Sequence, residues 1–485
     1  MRIDLRVLGI LLLPIGATAC NSASQAPVAE TTTTVAATTS AFTPSTSTPD
    51  TTTTAVVPDT YTYPPPPQVT NDGDLDPDVV ASLEDLWESF GSSVDSRAIL
   101  DLGQSGDVRV AWLLSDVLRF VTAASTGQHL ITAFTELTGV DINEDPTALR
   151  SPWQSMTNHL ITWDLPTHPG YVGYKARLFT LIEPAWQPFF DDDEANIDWR
   201  ITSWGGVLID DRPLGDPLPC PRGCIPALDD PAVTSAAEGS WYPDDQVVFG
   251  VEVNGETRAY PKNQMEVHEM ANDSIGGRRL GIPYCTLCGS AQAYFTDSVP
   301  DGVEIPVLRT SGLLTRSNKV MYDLNTFSIF DTFTGEALTG TLREQGITLE
   351  QTTVVTSTWG DWKAAHPETT IVAEDGGLGR TYALDPLRGR DDAGPIFPIG
   401  EVDDRLPEHA EVIGVITEGG EPIAFSVAAL AEATADGGSV ELAEVTITSD
   451  GSGYVAHNSD GTPLAAHQAF WFAWSQFHPD TELWP

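Results

Sequence analysis

The chain has 485 residues, with 24 Lys and Arg against 69 Asp and Glu, a formal charge of -45, 36 Pro, 41 Gly and five Cys. Such acidity excludes a nucleic-acid partner, since phosphate binding is driven by a basic surface that releases counterions, and it does not suit an anionic lipid surface. At 41% hydrophobic and 19% charged, the sequence is neither a disordered polyanion nor a multi-span membrane protein.

Residues 1–19 run from Arg2 and Arg6 through the apolar stretch Val7 to Ile15 and end in small residues before Cys20. This is the form of a secretory signal, too short to remain as a membrane span. A cysteine after small residues resembles a bacterial lipoprotein cleavage site, so Cys20 is expected to become the lipidated N-terminus of an extracytoplasmic protein held on the cell membrane by that lipid only; the alternative is ordinary signal cleavage with free secretion. Loss of Arg2, Asp4 and Arg6 with the signal makes the mature charge -46. From Cys20 to residue 68 the chain is mostly Thr, Ser, Ala and Pro, which cannot bury enough apolar area to offset its ordering entropy. As a flexible stalk it spans about 40 Å.

Over residues 75–195 apolar positions recur at helical spacing, as in Val80, Leu83, Leu86 and Trp87, or Val108, Trp112, Leu113, Val117 and Val121. A helical domain is expected there. After residue 200 the texture changes to short β-branched runs separated by Gly, Pro and Asp. An internal repeat runs through this part. Val248-Phe249-Gly250-Val251 returns as Val412-Ile413-Gly414-Val415, and Trp359 to Trp362 with His366-Pro367 returns as Trp471 to Trp474 with His478-Pro479. The expected fold is therefore α+β: an N-terminal helical domain followed by a mainly β, internally duplicated two-lobe domain, with lobes at 200–380 and 381–485.

Residues present in only one copy of a duplicated frame are candidates for chemistry. The first copy alone holds His268-Glu269 and Cys285-Thr286-Leu287-Cys288-Gly289. A Cys-x-x-Cys-Gly between two short strands has the form of a metal knuckle, and His268 is the nearest further ligand in sequence. Two thiolates and an imidazole suit Cu or Zn. Three alternatives stay open for Cys285, Cys288 and His268: a metal or thiol-redox site, a structural brace, or a cysteine nucleophile with His268 as base. Arg258, Arg309, Ser290, Ser311 and Asn318 are candidates to line a pocket for a small-molecule ligand, and an envelope protein is the other candidate partner. Cys220 and Cys224, in a Pro/Gly-rich loop, are candidates for a local disulfide. No phosphate loop, dinucleotide fingerprint or nucleophile elbow occurs.

Several segments together resemble the bacterial family called domain of unknown function 3179: Ile225 to Pro231, Gly255 to Pro261, His268-Glu269 with Asn272-Asp273, Tyr284 to Ser290, Ser311 to Leu314 and Met321 to Asp323. The resemblance extends over about 200 to 485. It departs at Phe330-Asp331-Thr332 and at the inserted stretch that carries Cys220 and Cys224. It implies domain limits and site candidates but no reaction.

Overall fold

The structure is a computed structural model that describes residues 61–90, 93–389, 395–449 and 451–485. The signal segment, Cys20 and the stalk up to residue 60 lie outside the described residues. Six helices open the chain: α1 (Pro77–Ser89), α2 (Ser96–Gln104), α3 (Ala111–Phe120), α4 (Ala124–Thr138), α5 (Pro152–Thr162) and α6 (Tyr171–Ile182). Their starts are chemically marked. Asp76, Asp95 and Ser151 accept hydrogen bonds from backbone N–H groups of the first turns of α1, α2 and α5, satisfying donors that have no intrahelical partner. Helix α3 is buried almost all round and forms the centre of the bundle. Tyr61 and Pro64 dock on this bundle, through Tyr61 Oη to His159 Nε2 (2.9 Å) and Trp163 Nε1 to the Pro64 carbonyl (2.7 Å).

The helical core continues without a break into the first sheet. Phe120 stacks on Trp204 at 5.2 Å between ring centres, Trp186 Nε1 donates to the Ser311 carbonyl (2.8 Å), and Leu313 and Tyr322 belong to the same apolar cluster. Among the described residues, no helix is long and apolar enough to cross a membrane.

The β region overturns the expected two-lobe duplication: five small sheets are arranged as in a five-bladed propeller. The first sheet joins Thr202–Trp204 to Leu308–Thr315, Asn318–Asp323 and Ile329–Phe330. The second runs Glu350–Thr352, Ala293–Phe295, Arg278–Cys285, Met270–Ile275 and Leu228–Asp229, with Ser290–Ala291 folded back on Arg278–Cys285. The third is Val355–Thr358, Val247–Val253, Glu256–Pro261, Thr370–Val372 and Val233–Ser235; the fourth is Ala466–Phe470, Glu411–Ile416, Pro422–Ser426 and Glu482–Trp484. The fifth comprises Val440–Leu442, Val445–Ser449, Tyr454–Asn458 and Pro463–Leu464.

The sequence repeat is real, but its unit is one blade. In the third and fourth sheets an antiparallel hairpin is followed by a short helix and a strand that returns parallel to the hairpin's second arm. Each helix lays a tryptophan on a strand glycine: Trp362 on Gly250 and Trp474 on Gly414, where a Cβ would fall 2.3 and 2.1 Å from the ring. Each indole N–H donates to a threonine ahead of the return strand, Thr369 (2.9 Å) and Thr481 (3.0 Å). Residues 200–380 cannot be one lobe, because they supply three sheets whose strands interleave in sequence.

Candidate functional site

In the second sheet, Cys285 ends one strand, Thr286–Cys288 make a single tight turn, Gly289 takes a left-handed backbone (φ 58°), and Ser290 pairs back opposite Cys285. Glycine is suited to that turn on two counts. It adopts φ > 0 without a Cβ penalty, and a Cβ here would meet the Phe470 ring at 2.9 Å. Cys285 and Cys288 are joined in a disulfide with Cα atoms 5.3 Å apart. Both cysteines lie inside the protein, 3% and 0% exposed, in one apolar cluster with Trp471, Phe472 and Trp474 of the helix that follows the strand Ala466–Phe470. Each also approaches the Ser317 carbonyl, at 3.8 and 3.5 Å.

A buried ion pair adjoins this turn. Glu269 caps the helix Lys262–His268 with φ 50°, and its carbonyl accepts from Tyr284 N (3.0 Å) and from Lys319 Nζ. Its carboxylate lies 3.7 Å from Lys319 Nζ and 3.5 Å from the hydroxyl of Thr286, inside the cystine turn. Burial pushes the Lys319 amine down to about 8 while Glu269 opposes the fall. Burial raises the Glu269 carboxyl, and Lys319 counters it.

His268 is engaged elsewhere. Its Nδ1 is 2.7 Å from the Pro226 carbonyl and its Nε2 2.8 Å from Tyr382 Oη. A carbonyl only accepts, so Nδ1 carries the proton and Nε2 accepts from the tyrosine. Burial pushes this imidazole down to about 4, so it is neutral at pH 7. A metal held by Cys285, Cys288 and His268 would have to part the disulfide and displace Tyr382. Among the described residues, the set whose ligand atoms lie within 4.8 Å of one another is Asp210, Cys220 and Cys224. Cys220 and Cys224 are also joined in a disulfide. The Asp210 carboxylate receives Arg212 Nε (2.6 Å), Arg212 Nη2 (2.9 Å) and Ala227 N (2.8 Å), with Cys224 Sγ at 3.5 Å. With its sulfurs reduced, this Cys/Asp cluster could hold a metal ion.

The candidate ligand residues divide into two groups. Arg258 is held by Asp273 (2.6 Å) and Glu256 (2.7 Å), Arg309 is clamped by both oxygens of Asp229 at 2.8 Å, and Ser311 Oγ donates to the Val320 carbonyl (2.5 Å). These three serve the sheets. Ser290 instead pairs with Cys285, and Asn318 follows Ser317, whose carbonyl lies beside both sulfurs; Ser290 Oγ and Asn318 Oδ1 have no hydrogen-bond partner among the described residues. Gln292 and Ser317 share that condition. Chain folding brings Lys319 and Gln292 to the Cys285–Cys288 turn, Asp210 to Cys220 and Cys224, and Tyr382 to His268.

The molecule is thus a helical bundle fused to a propeller-like β domain with two cystine turns and an internal polar centre beside one of them. Residues 222–459 match the family model described as protein of unknown function (DUF3179), and this stretch of the chain belongs to that family. The match takes in Cys285, Cys288, His268, Glu269 and Lys319 but begins after Cys220. No curated protein and no solved structure matches the chain.

Proposed function

We propose that the chain is an extracytoplasmic lipoprotein, held on the cell membrane through lipid on Cys20, whose DUF3179 domain carries a thiol–disulfide redox centre at Cys285 and Cys288. The observation that carries this reading is the juxtaposition of the Cys285–Cys288 disulfide with the buried Glu269–Lys319 pair. Opening a disulfide takes two electrons and two protons, and thiolate chemistry depends on nearby groups that can hold or release a proton. The Lys319 cation pairs with Glu269, whose carboxylate reaches Thr286 of the turn, and a carboxyl raised by burial accepts protons more readily than an exposed one. A nucleophilic cysteine based on His268 draws no support from this arrangement, because both ring nitrogens are committed to Pro226 and Tyr382.

A redox titration of the folded chain tests the reading, with the Cys285 and Cys288 thiols followed by alkylation and mass. A reversible two-electron couple is expected, absent in Cys285→Ser/Cys288→Ser. If those sulfurs stay oxidised until the protein unfolds, they only brace the turn, and the alternative of a binding module for a small ligand or an envelope protein gains.

A second reading rests on the Asp210, Cys220 and Cys224 cluster. Two thiolates and a carboxylate form a donor set for zinc, which would be held as a structural or Lewis-acid centre. Reduced protein dialysed against zinc and then washed should retain metal that Cys220→Ser/Cys224→Ser does not. Equal retention by both would remove this reading.

A further inference from the structure

Around the Cys285–Cys288 turn, four neutral side chains are almost wholly buried and keep polar atoms without a partner among the described residues. They are Ser290 Oγ, both amide atoms of Gln292, Ser317 Oγ and Asn318 Oδ1. Their backbones adjoin the turn and its strands. Ser290 is the cross-strand partner of Cys285, Gln292 N donates to the Pro283 carbonyl, the Ser317 carbonyl lies 3.8 and 3.5 Å from the two sulfurs, and Asn318 follows Ser317 in the chain. Leaving such groups unpaired costs about 1–3 kcal/mol each, so several at one place mark a site rather than an accident of packing.

Their chemistry defines the ligand. Hydroxyls and carboxamides both donate and accept, and carry no charge to attract an ion. The sulfurs are too enclosed for a protein or a tripeptide thiol to reach. From this we infer that the reduced Cys285/Cys288 pair is oxidised by a small uncharged hydroperoxide, hydrogen peroxide above all, held by Ser290, Gln292, Ser317 and Asn318. This inference rests on the redox reading of the same turn and names its substrate. One thiolate attacks a peroxide oxygen and the O–O bond breaks, leaving a sulfenic acid and a hydroxide that takes a proton to become water. The second thiol displaces the sulfenic oxygen as another water and closes the disulfide. The two sulfurs lose the two electrons that the peroxide gains, and the two thiol protons leave in the two waters.

The test uses the full chain, reduced with dithiothreitol, freed of it and mixed with hydrogen peroxide, with Cys285 and Cys288 followed by alkylation and mass. The folded chain is expected to oxidise at least about tenfold faster than the same chain in guanidinium, and tert-butyl hydroperoxide to react at least about tenfold more slowly than hydrogen peroxide. Gln292→Leu should slow the folded rate by about tenfold, the loss of one well-placed hydrogen bond in the transition state, and leave the rate in guanidinium unchanged. Ser290→Ala, which removes a single oxygen, serves as the milder variant. Equal folded and unfolded rates, or variants as fast as wild type, overturn the peroxide assignment while the redox couple stands. Failure to reduce the folded pair at all overturns both.

Discussion

Lys319→Met tests the buried pair on which the redox reading depends. The substitution keeps most of the side chain's volume but removes the cation that pairs with Glu269, whose carboxylate then faces the protein interior without it. Breaking a buried pair by deleting one partner costs about 3–5 kcal/mol when the remaining charge cannot be relieved. Here it can be relieved by protonation. The cost at pH 7 is then that of protonating a carboxyl whose ordinary value is 4.5, about 1.4 kcal/mol per pH unit or about 3.4 kcal/mol in all. Glu269 keeps 18% of its side chain exposed, so this figure is an upper bound. The sign follows from linkage. In the variant the folded Glu269 binds its proton more tightly than the unfolded chain does, so stability is full below about pH 4.5 and is lost as pH rises. The deficit relative to wild type should therefore shrink from about 3 kcal/mol at pH 7 to below about 1 kcal/mol at pH 5. Urea midpoints measured without reductant at pH 5, 6 and 7 read it directly. Glu269→Gln/Lys319→Met should recover to within about 1 kcal/mol of wild type, since an uncharged pair of similar volume removes the desolvated ions altogether. A loss that is independent of pH over this range would refute the reasoning.

Gly250→Ala and Gly414→Ala should each destabilise by about 1–3 kcal/mol in urea unfolding, because both force a tryptophan off its strand; a neutral result at either position would break the equivalence of the two blades. His268 is buried neutral with its value near 4 against an ordinary 6.5, so its contribution is whole above pH 6.5 and is lost as pH falls toward 4, about 3 kcal/mol over the full window. His268→Gln should flatten acid unfolding between those limits, and an unchanged acid profile would count against its burial. Arg309→Met should cost about 3–5 kcal/mol in thermal or urea unfolding by removing the guanidinium that clamps Asp229, whereas Arg309→Met/Asp229→Leu should regain most of it; equal losses would deny the pairing.

The helices were legible because their signal is local. The stripe Val108, Trp112, Leu113 and Val117 has the helical period, and it lines the core as α3 and the turn before it. The repeat of tryptophan helix and His-Pro was legible for the same reason. The number of sheets was not, because it depends on pairings between distant segments: Thr202–Trp204 joins Leu308–Thr315, and Leu228–Asp229 joins Met270–Ile275. A repeat shows that two segments share a structure, but only strand pairing shows how much else each blade recruits. The site divides in the same way. The cysteine turn is a local feature, whereas the partners of His268 and Glu269 are separated by one backbone angle. With φ 50° at Glu269, the helix ends so that His268 turns toward Pro226 and Tyr382 while Glu269 turns toward Tyr284 and Lys319. Sequence proximity made His268 the ligand candidate, and the residue after it is the one that reaches the cystine turn.

The scarcity of lysine sharpens the case for that pair. The chain has four lysines, and Lys175 and Lys319 are both buried, each beside an acid. The two pairs differ in how completely they close on themselves. Lys175 lies 2.8 Å from Asp116 and 3.1 Å from Tyr171 Oη, and Tyr171 also donates to Asp116, so the polar groups satisfy one another inside the helical core. Lys319 spends its closest hydrogen bond on the Glu269 carbonyl and leaves the carboxylate 3.7 Å away, within reach of Thr286. A closed triad holds a fold together and has no hydrogen-bonding capacity directed outward. On the proposed redox reading, a pair whose acid reaches the cystine turn would couple its protonation to the state of that turn, a property a redox centre needs and a structural brace does not.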